Sequence, residues 1–163
     1  PMISRAACDK VERYVEVGRT EGRLLYRGRV PDSGCYAAPA IFTGIEAHHR
    51  LAREEIFGPV LAVLRARDFA HALDLALDSD FALTGGVFSR LPAHIDLARR
   101  RFRVGNLYIN RRITGARVGV QPFGGTGHSG NGVQAGGPDF LRQFLATRMV
   151  TESTLRHGYV PPR

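Results

Sequence analysis

The sequence predicts an α/β fold with a largely parallel sheet flanked by helices. Helix-like and strand-like segments alternate along most of the 163 residues, and chains with this rhythm usually build parallel sheets from successive β-α-β units. The composition is 44% hydrophobic and 23% charged, which is typical of a soluble globular protein with a core of its own. Because no linker or internal repeat divides the chain, we expect one domain.

The first segments predict one long helix and two extended stretches. Apolar residues at helical spacing predict a helix over residues 3–20, which Glu21 and Gly22 end. Arg23–Arg27 has the composition of a strand. Residues 36–42 are expected to be extended, with Pro39 favouring a sheet edge or an interruption.

The middle of the chain alternates strands with helices. Residues 60–64 form a short apolar run that is typical of a buried strand. Asp68 is a suitable N-cap for a helix that runs to about Leu77, and Pro92 suits the first turn of a helix that runs to about Phe102. Residues 85–88 and 106–110 are the predicted strands around the second helix.

The last third is dominated by a glycine-rich loop (residues 114–137) without helix or strand periodicity. A loop this long inside a compact domain is either functional or disordered, and its amide and aromatic side chains, Gln121 and Phe123, favour a function. After it, residues 138–145 predict a short helix and residues 149–154 a final strand. Residues 157–163 are expected to be a loose tail.

Charge and cysteine content limit the classes of function. The formal net charge is +8, but the arginines that supply it are scattered, which favours solvated faces over a nucleic-acid partner. No apolar run approaches the roughly 18–20 residues of a membrane span. Cys8 and Cys35 are too few for a disulfide framework and lack zinc-ligand spacing, so we expect no metal site and a reducing, cytoplasmic location.

Two motifs place polar or aromatic groups beside backbone shaped by glycine and proline, as active-site walls often do. The first is Glu54-Glu55-Ile56-Phe57-Gly58-Pro59-Val60; the second joins residues 105–110 to residues 121–125. In the first, a carboxylate could accept hydrogen bonds from a vicinal diol and an aromatic ring could hold a planar ring. A surface pair of glutamates beside a core phenylalanine explains the same residues equally well.

A run of the form G-x-G-x-x-G occurs at residues 125–130. The dinucleotide fingerprint of this form follows a strand and opens a helix. Here the run follows Pro122-Phe123 and leads into Asn131-Gly132, so we do not interpret it as that fingerprint.

The order and spacing of the two motifs, with residues 83–90, 114–116 and 135–138, resemble the C-terminal part of the aldehyde dehydrogenase superfamily. The subgroup most similar is the L-glutamate γ-semialdehyde (Δ1-pyrroline-5-carboxylate) dehydrogenases of proline catabolism, which occur alone or within bifunctional proline-utilisation proteins. The resemblance implies that residues 1–147 are the C-terminal portion of the catalytic domain and that residues 148–163 are an oligomerisation strand and tail.

The resemblance also implies roles for five residues. Glu55 would bind the ribose hydroxyls next to the nicotinamide of NAD, and Phe57 would pack near the ring. Backbone N–H groups of Gly115 and Ala116 would bind the α-carboxylate of the semialdehyde, and Phe123 would pack on its aliphatic stem. Some members have Ser at the position of Ala116, so one side-chain hydrogen bond could be missing. A floppy loop with Phe123 lying over the core is the alternative.

By the same resemblance, the catalytic cysteine and general base precede Pro1. Cys8, on the first predicted helix, is expected to be a packing residue, and the chain is expected to be a catalytically silent piece of an NAD-dependent enzyme. Its partners would be the semialdehyde, the missing N-terminal part and further copies in a homodimer or larger homo-oligomer. Two alternatives stay open: a non-catalytic assembly domain of aldehyde dehydrogenase type, and a dehydrogenase for another aldehyde.

Overall fold

The computed structural model describes residues 1–153 and Pro162. The helices in this part of the chain are α1 (Arg5–Glu21), α2 (Arg50–Arg53), α3 (Phe69–Leu77), α4 (Pro92–Arg101) and a 3-10 helix at Pro138–Phe144. The strands are β1 (Arg23–Arg27), β2 (Ala40–Thr43), β3 (Val60–Val63), β4 (Phe81–Ala82), β5 (Thr84–Val87), β6 (Asn106–Ile109) and β7 (Thr126–Gly127).

The strands form three small sheets. One sheet has the order β1-β2-β3, with β1 and β2 antiparallel and β2 and β3 parallel. In the second, β5 and β6 are parallel; in the third, β4 and β7 are antiparallel. The α/β class is confirmed, with two parallel pairings. The strands of the described residues are divided among three sheets.

The first core lies between α1 and the sheet β1-β2-β3. Val11 and Val15 of α1 pack with Phe42 of β2, and all three are almost fully buried. Gly18 allows this approach, since a Cβ there would lie 2.6 Å from Cζ of Phe42. Ser4 caps the helix by accepting a hydrogen bond from the Ala7 N–H at 3.2 Å. The predicted helix over residues 3–20 is thereby confirmed, with its start moved to Arg5.

The second core lies between the helix pair α3 and α4 and the sheet β5-β6. Leu73, Val87 and Ala98 are its buried members. Both predicted helix starts are confirmed: the Asp68 carboxylate accepts a hydrogen bond from the His71 N–H at 2.8 Å, and Pro92 occupies the first turn of α4.

Three features of the first half differ from the predictions. Only Ala40–Thr43 of the extended stretch pairs as a strand, after Pro39. Helix α2 was not predicted, because four residues are too few to show a periodicity. Strand β3 lies at the expected place but is not buried, since Leu61 is 54% and Val63 42% exposed.

The C-terminal predictions hold only in part. The short helix after the glycine-rich loop is present as 3-10 helix, and the loop itself contains the two-residue strand β7. No strand forms over residues 149–153, so the predicted final strand is wrong for the residues described; Thr154 lies outside them. Of the predicted tail, only Pro162 is described. Within the described residues, no helix is long and apolar enough to cross a membrane.

Candidate active-site walls

Residues 54–59 lie against one face of α1 and split into held and free side chains. The Glu54 carboxylate accepts hydrogen bonds from the Tyr14 hydroxyl and from Arg50, whose Nε and Nη2 lie 2.8 and 3.0 Å from its two oxygens. Ile56 is buried in the first core. By contrast, the Glu55 carboxylate is exposed and has no partner among the described residues. Of the two glutamates, only Glu55 is free to bind a ligand.

Phe57 has the most unusual backbone in this segment. Its φ is +60° and its side chain is 81% exposed. A non-glycine residue in this left-handed region is uncommon and persists where its surroundings hold it. The next residue constrains the backbone here, because Gly58 packs directly against α1. A Cβ on Gly58 would lie 2.3 Å from Val11 Cγ2, so only glycine lets the chain pass this close to the helix.

Glu54, Arg50 and Tyr14 form a hydrogen-bonded group, the Glu54 cluster, and their contacts shift the pKa of each member. The hydrogen bond from Arg50, then that from Tyr14, lowers the pKa of Glu54 to about 2. The hydrogen bond to Glu54, followed by desolvation, raises the pKa of Tyr14. The same carboxylate raises the pKa of Arg50. The cluster therefore keeps its charges and its Tyr14 donor across neutral pH.

The second wall is a hollow of about 420 Å³ lined by Ile113, Thr114, Gly115, Ala116 and Phe123, the Gly115 hollow. Gly115 has φ +82°, and a Cβ there would meet nothing within 4 Å. Among the described residues, neither the Gly115 nor the Ala116 N–H has a hydrogen-bond acceptor. Phe123 is 40% exposed. The structure thus brings together the three residues predicted for the substrate side, beside unused backbone donors.

Strand β6 holds the glycine-rich loop in place. Nδ2 of Asn106 donates to the Pro122 carbonyl at 2.8 Å, and its Oδ1 accepts from the Gly124 N–H at 3.3 Å. The Phe123 backbone, between them, pairs with Ala135 through two hydrogen bonds of 2.9 and 2.8 Å. Phe123 is therefore fixed from both sides, and the alternative of a floppy loop is not supported.

Gly105 brings the strand and the loop into direct backbone contact. A Cβ at this position would lie 1.7 Å from the Gly124 carbonyl oxygen. The Gly105 carbonyl accepts a hydrogen bond from Nε2 of Gln134 at 2.6 Å. Asn106 and Gln134 were not predicted as loop anchors, although Asn106 belongs to the second motif.

The predicted site residues occupy three hollows rather than one. Glu54 and Glu55 share a hollow of about 270 Å³ with Ser129 of the glycine-rich loop. Phe57 lines another with residues of the N-terminal segment and α1. The Gly115 hollow is the third. The glutamate pair therefore adjoins the loop, while Phe57 and the substrate-side residues line two other surfaces.

Comparison with known proteins shows the family of this chain. The sequence profile of the aldehyde dehydrogenase family matches residues 1–150. The chain belongs to the aldehyde dehydrogenase family.

Relatives and solved structures within this family are similar over most of the chain. The 1-pyrroline-5-carboxylate dehydrogenase of Bacillus subtilis is 46% identical over 154 residues, which are 94% of this chain and 30% of the relative. The Thermus 1-pyrroline-5-carboxylate dehydrogenase, solved with bound NAD, is 50% identical with a TM-score of 0.86, over 90% of this chain and 28% of the other. Proline utilization A from Bdellovibrio bacteriovorus is 45% identical with a TM-score of 0.90, over 100% of this chain and 17% of the other.

The chain thus spans less than a third of each of these relatives. Among the described residues the candidate walls share no cleft, and Leu61 and Val63 of β3 are exposed.

Neither cysteine of this aldehyde dehydrogenase chain lies in a candidate hollow. Cys8 is buried in α1, as predicted for a packing residue. Cys35 is half-buried in a turn, and its main-chain carbonyl accepts a hydrogen bond from the Met2 N–H at 2.7 Å. Residues 125–130 contain β7 and open no helix, which agrees with rejecting the dinucleotide fingerprint.

One cluster of potential metal ligands lies outside both walls. Glu46, His48 and His49 place ligand atoms within 4.8 Å of one another on the surface before α2. Nδ1 of His49 accepts a hydrogen bond from the Glu46 N–H at 3.1 Å. These contacts describe a local turn, and a turn alone does not indicate a metal site.

Proposed function

We propose that this chain is the C-terminal part of an NAD-dependent dehydrogenase that oxidises L-glutamate γ-semialdehyde to L-glutamate in proline catabolism, in the cytoplasm. The observation that carries the proposal is the Gly115 hollow, in which Gly115, Ala116 and Phe123 meet and two backbone N–H groups have no acceptor among the described residues. The similarity to 1-pyrroline-5-carboxylate dehydrogenases supports it.

The hollow suits one end of an amino-acid semialdehyde. Successive backbone N–H groups around a residue with positive φ form a concave donor site for anions, and Gly115 has such a φ. The α-carboxylate of the substrate would take these donors. Phe123 would pack on the aliphatic stem, which leaves the aldehyde to project from the hollow.

The exposed residues of segment 54–59 fit a nicotinamide cofactor. The Glu55 carboxylate, unpaired among the described residues, can accept two hydrogen bonds from the hydroxyls of a ribose. The Phe57 ring, held outward by its backbone, offers a face for packing against the nicotinamide. When bound, NAD would accept the hydride that leaves the substrate carbon.

We further propose that the nucleophilic cysteine lies in polypeptide outside these 163 residues. Cys8 is buried in a helix, and neither Cys8 nor Cys35 lines the Gly115 hollow. The two walls would then be completed by the N-terminal part of the same enzyme. We assign residues 148–163 to subunit contacts in a homodimer or larger homo-oligomer.

The test is substrate discrimination by the full-length polypeptide that carries this chain. With NAD present, we expect kcat/KM for glutamate γ-semialdehyde to exceed that for pentanal, which lacks the carboxylate, by about a hundredfold or more, because a site built for hydrogen bonds rejects ligands without them. Equal values would instead indicate a dehydrogenase for another aldehyde. No NAD-dependent turnover of either would indicate a non-catalytic assembly domain.

A further inference from the structure

We propose that Lys10 and Tyr14 of helix α1 are positioning residues, which fix the cofactor-binding segment 54–59 so that Glu55 and Phe57 point at the nicotinamide riboside. This inference rests on the proposed function of that segment. Neither residue belongs to the motifs that define the two walls.

The two residues hold consecutive points of the segment. Lys10 Nζ donates to the Glu55 main-chain carbonyl at 2.7 Å, and the Tyr14 hydroxyl donates to the Glu54 carboxylate. They are four residues apart on α1 and so project from the same face of the helix. Because Lys10 binds the main-chain carbonyl of Glu55, it fixes the backbone of that residue and leaves the carboxylate free.

Packing fixes the segment between and beyond these bonds. Val11, on the same face of α1, touches Gly58, and Ile56 is buried in the core that contains Val11. The segment is therefore held at positions 54, 55, 56 and 58. Position 57 is the one left to project, and this confinement explains how Phe57 keeps a left-handed backbone.

Two cations lie near the Tyr14 ring, whose hydroxyl donates to Glu54. The Lys10 ammonium lies 5.8 Å and the Arg50 guanidinium 5.4 Å from the centre of the Tyr14 ring. Both distances are in the range of cation–π attraction. Arg50 also binds the same carboxylate, so α2 and α1 hold Glu54 together.

A lysine suits this position better than an arginine. Lys10 is the only lysine among 23 basic residues. Its compact ammonium can direct one proton at a single carbonyl, whereas a planar guanidinium fork is suited to two parallel acceptors. The chemistry of the contact, one cation to one backbone oxygen, matches the residue present.

The test uses Lys10→Met and Tyr14→Phe in the full-length polypeptide, with Arg13→Met as the control. Arg13 is exposed on α1 and has no partner among the described residues, so Arg13→Met matches the loss of one positive charge from the helix in Lys10→Met. We expect each test variant to raise the KM for NAD about fivefold, the factor of one net hydrogen bond. The KM for the aldehyde should stay within twofold, and Arg13→Met should match wild type in both.

A purely structural role would give a different result. If either variant lowers the melting temperature while its KM for NAD stays at the wild-type value, the inference is overturned. Tyr14→Phe removes one oxygen from a half-buried ring and leaves its packing intact, so it reports even where Lys10→Met folds poorly. Failure of the proposed function is separate, since it would appear as a wild-type enzyme without NAD-dependent oxidation of the semialdehyde.

Discussion

At the scale of single residues, two neighbouring glutamates differ in their contacts. Glu54 is bound by Arg50 and Tyr14, whereas the Glu55 carboxylate is exposed and unpaired among the described residues. The sequence shows only two adjacent carboxylates. Which one is free depends on α1 and α2, whose side chains reach the segment from up to 45 positions away.

Replacing Glu55 by Gln should weaken the binding of NAD while leaving the protein folded. Hydrogen bonds to an ionised acceptor are worth about 1 kcal/mol more than neutral ones. We therefore expect the KM for NAD of the full-length enzyme to rise about fivefold to tenfold. Steady-state kinetics measure this. Glu16→Gln, an exposed site on α1, is the control, and an equal rise there would refute a specific role for Glu55.

The Glu54 cluster predicts a pH dependence of stability. The folded pKa of Glu54, about 2, lies below its ordinary value of 4.5, so its contribution is fully present above about pH 4.5 and is lost as the pH falls to 2. The pKa of Tyr14 is raised, so its contribution is present below pH 10 and is lost above it. Arg50 and Lys10 are the cations that face Glu54.

The expected result is a stability gap that closes in acid. Urea unfolding midpoints of Glu54→Gln and wild type should differ at pH 6 and converge between about pH 4.5 and 2, because wild type loses what the variant already lacks. A carboxyl NMR titration of Glu54 with a midpoint near its ordinary value of 4.5 would contradict the assignment.

At the scale of elements, strand β6 controls the position of the glycine-rich loop through Asn106. Asn106→Ala would leave the Pro122 carbonyl and the Gly124 N–H without partners, which costs about 1–3 kcal/mol. We expect a higher KM for the semialdehyde and an unchanged KM for NAD. Asn106→Asp keeps the acceptor for Gly124 and should lie between. Equal losses for aldehyde and NAD would show that Asn106 acts through general stability.

Elements were predictable where local chemistry defines them. The Asp68 cap and Pro92 located the starts of α3 and α4 from sequence alone, and β1 was predicted with its observed bounds. Exposure of β3 was not predictable, because an apolar run has the same composition whether this chain or another covers it. The pairing of β4 with β7 joins residues more than 40 positions apart and has no local signal.

The candidate site shows the same limit. Its five predicted residues came from motifs and a family resemblance, and the structure gathers Gly115, Ala116 and Phe123 in one hollow. Lys10 and Tyr14 carry no motif of their own. Their contacts with residues 54 and 55 exist only once α1 lies against the segment.

At the scale of the whole molecule, the described residues leave many large apolar side chains uncovered. They include both outward residues of β3, Leu61 and Val63, and a C-terminal group comprising Leu141, Phe144, Leu145, Met149 and Val150. Surfaces of this kind usually mark contacts with other polypeptide.

The isolated 163-residue chain should therefore bind the apolar dye ANS and oxidise no semialdehyde with NAD. Dye fluorescence and an NADH absorbance assay measure the two properties. Adding the separately produced N-terminal part should lower the fluorescence. Turnover by the isolated chain above background would reveal a nucleophile that we have not identified.

The contact between Gly105 and the Gly124 carbonyl has a consequence for redesign. Every larger residue at position 105 would push against main chain rather than a pliable side chain, so a mutant library at that codon would return only misfolded or loop-shifted proteins. Positions 113 and 114, by contrast, are exposed and line the Gly115 hollow. Efforts to broaden the range of accepted aldehydes should diversify these two and keep the glycine unchanged.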